Sequence, residues 1–181
     1  GLVAGAFSMA AGEYVSMRSQ RDIYEHEIRK EEIELQESPE EEEEELALIY
    51  QAKGLSQEEA KIIAKRMMAD PEIALDTMAR EELGLNPSEL GSPWGASFSS
   101  FAAFVTGALI PIIPYIVGAT DLAIPLSAVL SAGALLTVGG ALAWMTNRSA
   151  IWGALRMALA GGAAATVTFG VGSLIGISLS T

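Results

Sequence analysis

Apolar and polar positions separate along this chain into long blocks instead of alternating through it. No charge occurs from Ala96 to Val117, from Leu122 to Met145, or from Met157 to Leu179. Each run reaches the roughly 20 residues that an α-helix needs to cross about 30 Å of hydrocarbon. The pattern predicts three membrane helices, at about 96–117, 122–145 and 157–179. Gly1 to about Met17 reads as a fourth apolar span that starts abruptly, so the chain looks truncated at its N-terminus; it is no signal peptide, because a basic leading region is missing. Pro111 and Pro114 fall inside one span, where a kink is expected, and Gly139-Gly140, Gly161-Gly162, Gly1-xxx-Gly5 and Gly172-xxx-Gly176 suit close helix packing.

Residues 18–92 are of the opposite character. Arg18 to about Glu37 continues the first helix with charged residues. Ser38-Pro39-Glu40-Glu41 supplies a cap, a first-turn proline and a capping-box glutamate for a helix to about Lys53, which Gly54 ends. Ser56-Gln57-Glu58-Glu59 repeats the signal for a helix through about Ala69. Asp70-Pro71 starts one more, which stops at Gly84, and Asn86-Pro87 and Ser92-Pro93 lead back to apolar sequence. The predicted fold is all-α: a polytopic helical membrane protein with an acidic helical domain inserted between membrane helices.

Charge sharpens this division. Of 23 acidic and 11 basic residues, Asp22 to Leu90 holds 21 and 7, whereas Gly91 onward holds only Asp121, Arg148 and Arg156. Basic residues collect on the cytoplasmic side of short loops. Arg18 and Arg21 after the first span, and Arg148 and Arg156 around the last turn, therefore place the acidic domain and that turn in the cytosol and Asp121 outside. Strong acidity argues against nucleic acid, which requires a surplus of Lys and Arg. Without cysteine and with one histidine, thiolate metal sites, disulfides and hydrolytic triads have no support, and the chain reads as no enzyme. A cation is the natural partner.

The glutamates in the insert carry the chemistry. Glu31 and Glu34, and Glu42 and Glu45, are three apart on successive helices, and Met78 and Glu82 are four apart on the last, so each pair shares a helix face. Crowded carboxylates repel and raise one another's pKa, while a divalent ion reverses that balance. Oxygen donors with one thioether suit Fe(II), Mn(II), Co(II) or Zn(II). The same spacing also fits a solvated acidic helix whose carboxylates face the helix dipole. Met9 offers a thioether within the first span, where packing is the competing role. Glu13 and Tyr14 close that span, and His26 between Glu25 and Glu27 reads as a surface residue.

The run Gly5-Ala6-Phe7-Ser8-Met9-Ala10-Ala11-Gly12-Glu13-Tyr14-Val15-Ser16, followed by Ser19-Gln20, resembles the vacuolar iron transporter family. So do Leu75-Asp76-Thr77-Met78-Ala79-Arg80-Glu81-Glu82-Leu83-Gly84-Leu85 and Gly107-Ala108-Leu109-Ile110-Pro111. The resemblance covers essentially the whole chain, as spans two to five of a five-span homodimer, without the family's first span and its aspartate. It implies export of Fe(II), and of other divalent ions, from the cytosol in exchange for protons, with no organic cofactor. It also implies a cytosolic domain that binds metal through Glu31, Glu34, Glu42, Glu45, Met78 and Glu82. The family's second methionine falls on Ala79, its pore methionine on Met9, and that methionine's companion carboxylate on Gly1. The host membrane would be the cell membrane of a prokaryote, or a vacuolar or other endomembrane of a eukaryote. A membrane-anchored metal buffer or sensor without flux is the alternative reading, and an acidic scaffold for a basic protein a third.

Overall fold

A computed structural model describes residues 1–119 and 121–179, the last three as backbone alone. Its described elements are helices: α1 (Leu2–Glu37), α2 (Pro39–Ala52), α3 (Gln57–Met67), α4 (Pro71–Glu81), α5 (Pro93–Ile116), α6 (Ala123–Met145) and α7 (Ala150–Leu179). The protein is an all-helical membrane protein, and α5, α6 and residues Ala150–Gly176 of α7 are long and apolar enough to span a bilayer. No such window exists in α1, where Glu13 and the charges from Arg18 onward follow a short apolar start. The chain divides into two compact units, one of Gly5–Phe101 and one of residues 1–4 with residues from 102 onward.

In the first unit, α2, α3 and α4 close around a small core of Leu46, Ala47, Ala60, Ala64 and Met78, with Leu35 of α1 packed against it. Alanines dominate because the helices are short and must approach closely to exclude water. Sequence punctuation sets their ends. The Ser56 hydroxyl accepts from Glu59 N–H while the Glu59 carboxylate accepts from Ser56 N–H, the expected capping box. Asp70 caps α4 by accepting from Glu72 and Ile73 N–H. Gly84, at φ +66°, takes the left-handed conformation beyond α4.

Two details differ from the sequence reading. Ser38 makes no side-chain cap. It is the single residue between α1 and α2: its N–H donates to Glu34 O at 2.8 Å, and its carbonyl accepts from Glu41 N–H. Held in α1's hydrogen-bond ladder and restricted by Pro39, its backbone (φ −135°, ψ 52°) lies outside the extended region that a serine cap requires. The last helix starts at Ala150, not near Met157, because Arg156 interrupts an apolar run without interrupting backbone hydrogen bonds, and arginine is a good helix former.

The same unit joins the start of α1 to the start of α5 through aromatic rings. Tyr14 and Trp94 lie 4.9 Å apart, Phe7 and Phe101 5.4 Å, and Ser97 Oγ donates to Ala10 O at 2.9 Å. In the second unit α5 runs unbroken through Pro111 and Pro114. α6 and α7 form a hairpin in near backbone contact: a Cβ on Gly153 would stand 2.3 Å from Ala143 Cβ and 2.5 Å from Gly139 O. Gly161 likewise faces Leu135, whereas Gly162, Gly172 and Gly176 face open space. Of the turn expected near Ala119 to Asp121, Thr120 lies outside the described residues.

Candidate metal centre

Three helices deliver one carboxylate each to a common point. Glu31 comes from α1, Glu42 from the first turn of α2 and Glu82 from the C-cap of α4, with oxygens within 4.8 Å of one another. On its own helix each stands one turn from a residue of the core or packed against it: Leu35, Leu46 and Met78 respectively. The core that closes α2, α3 and α4 thus aims the carboxylates, and the Lys53–Glu81 ion pair ties the end of α2 to the residue beside Glu82.

Burial makes this arrangement costly for the protein alone. Glu31 is 2% exposed and Glu42 8%, and Glu31 Oε1 is buried without a hydrogen-bond partner. Desolvation, then the charges of Glu82, Glu42 and Glu34, pushes the Glu31 carboxyl up to about 8. Glu42 is raised by burial and by Glu45 and Glu82; Glu82, the exposed member of the three, is raised by partial desolvation and by Glu45. With its carboxyl at about 8, Glu31 is protonated near neutral pH.

The six residues expected to ligate metal divide by position. Glu31, Glu42 and Glu82 form the closest group. Glu34 pairs with Lys30 at 3.1 Å and Glu45 is exposed, yet Glu34 acts electrostatically on all of the inner three and Glu45 on Glu42 and Glu82. Met78 is fully buried in the core, one turn before Glu82. His26 is exposed, as the sequence implied, and Met9 of α1 is 49% exposed. The Lys53–Glu81 pair was not legible, because nothing local links the end of α2 to the end of α4.

A carboxylate cluster drawn from three helices, in a chain that also carries apolar helices long enough to span a bilayer, is the setting in which the chain meets its relatives. The family described as the VIT family matches residues 1–173. Over 96% of its length the chain is 38% identical to a protein of Acanthamoeba castellanii called vacuolar iron transporter, covering 66% of that protein. It is 31% identical to vacuolar iron transporter 1 of Eucalyptus grandis, over 96% of this chain and 70% of that protein. With vacuolar iron transporter 1 of Arabidopsis thaliana it shares 31% identity, over 93% and 68%. The chain spans about two thirds of the length of these curated relatives. With nearly its whole length matched, the chain belongs to the VIT family.

Proposed function

We propose that this protein transports a divalent transition metal, foremost Fe(II), with Mn(II), Co(II) and Zn(II) as further substrates, and that its acidic domain captures the ion before transport. The convergence of Glu31, Glu42 and Glu82 on one point, with a buried unpartnered oxygen, carries this reading. A divalent ion supplies the missing partner and holds all three carboxylates ionised. Glu34 and Glu45 add charge and further oxygens, and Met78, one turn before Glu82, adds a soft donor. The relatives' names supply iron as the substrate.

The rest of the reading rests on the sequence. The apolar start of α1 is a further membrane span carrying Met9 on the ion pathway, and the distribution of Arg and Lys puts the acidic domain in the cytosol. Export is coupled to protons moving the other way, in a homodimer whose copies share the bilayer, on a vacuolar or equivalent membrane. A proton on Glu31 that metal displaces gives capture itself a proton linkage. Titrating Fe(II) anaerobically into the detergent-solubilised chain tests the capture site: Glu31→Ala and Glu82→Ala should each weaken binding at least tenfold, and unchanged affinity in both removes these ligands. Proteoliposomes with a pH gradient test transport. Binding without Fe(II) uptake would favour the buffer or sensor.

A further inference from the structure

The turn between α6 and α7 carries charge that neither the metal site nor helix packing uses. A groove of about 520 Å³ opens there, walled by Leu142 of α6 and Leu155 and Leu159 of α7, with Arg148, Trp152 and Arg156 among its lining residues. Neither arginine has an ion-pair partner among the described residues. Asp121, the one carboxylate from Gly91 onward, precedes the far end of α6, some 23 residues or on the order of 30 Å of helix away.

Arg156 lies six residues into α7, roughly 9 Å along its axis from Ala150, so the guanidinium enters a spanning helix and must reach back toward the turn for polar company. Trp144 and Trp152, 76% and 74% exposed, flank the turn as aromatic residues do at the headgroup level of a bilayer. Two arginines and an apolar wall lining one groove match a phosphate with acyl chains attached: arginine binds phosphate oxygens in pairs, and Leu142, Leu155 and Leu159 present hydrocarbon that a soluble anion would leave uncovered.

We propose that the α6–α7 turn is a binding site for one anionic phospholipid, its phosphate between Arg148 and Arg156 and its acyl chains along the leucine wall. The lipid is the counterion that this end of the hairpin lacks.

Native mass spectrometry of the full chain from mixed micelles, with equimolar phosphatidylglycerol and phosphatidylcholine of identical acyl chains, tests this. The wild type should retain the anionic lipid roughly 10- to 30-fold over the zwitterionic one. The Arg148→Gln/Arg156→Gln double variant should lose that preference, and each single variant part of it, while inorganic phosphate in millimolar excess should leave it intact. Equal retention of both lipids by the wild type would overturn the proposal whether or not the variants fold. An unchanged preference in the folded double variant would also overturn it, and displacement by inorganic phosphate would reassign the groove to a soluble anion.

Discussion

Raising pH from 5.5 to 7.5 should tighten divalent metal binding far more than ordinary carboxylates allow. Metal requires the ionised form of Glu31, so its apparent association constant scales with the fraction of that carboxyl deprotonated. With the group at about 8, that fraction rises on the order of 50- to 100-fold between these pH values. A carboxyl near 4.5 is already ionised at pH 5.5 and contributes about 10%. Glu42 and Glu82 are displaced in the same direction and can only steepen the response. Calorimetry with Co(II), which needs no anaerobic handling, reads both affinity and protons: in buffers of different ionisation enthalpy, binding at pH 6.5 should release about one proton. A change below threefold over the range, with no proton release, would refute the reasoning that a buried, crowded Glu31 holds a proton in the empty site.

The same linkage acts on folding with a definite sign. Glu31's folded value lies above its unfolded one, so its contribution favours the folded chain most below about 4.5 and is lost as pH rises through about 8. At pH 7.5, Glu31→Gln should stabilise the metal-free chain by about 1–3 kcal/mol in denaturant unfolding and flatten that pH dependence while weakening metal binding. Ser56→Ala should cost about 1 kcal/mol by the same measurement, and Ser38→Ala close to nothing, because only Ser56 caps its helix through its side chain. Gly153→Ala should lower the thermal midpoint in detergent by the equivalent of about 1–3 kcal/mol, whereas Gly162→Ala, facing open space, should leave it unchanged.

Much of the fold was readable because its determinants are local. Uncharged runs mark α5, α6 and α7, and Ser56, Asp70-Pro71 and Gly84 mark the ends of short helices through their own backbone chemistry. Where the reading failed, the deciding contact was nonlocal or the signal measured something else. Ser38 has the right side chain, but α1 ends against it with no room to turn. Arg156 ends an apolar run, and an apolar run measures membrane depth, not helix length. The candidate site follows the same division. Glutamates three apart on α1 and α2 were visible as facing pairs, yet which member of each pair turns inward depends on how Leu35, Leu46 and Met78 meet. That rotation selects Glu31 and Glu42 over Glu34 and Glu45, and no spacing along one helix contains it.

Iron-edge anomalous scattering from crystals of the protein grown with Fe(II) would locate the captured ion. Metal capture at this cluster should give one or more iron peaks bounded by Glu31, Glu42 and Glu82, with Glu31 Oε1 within about 2.3 Å of a metal and no such peak in Glu31→Ala crystals. Iron bound elsewhere, with these three carboxylates still empty at saturating Fe(II), would contradict it.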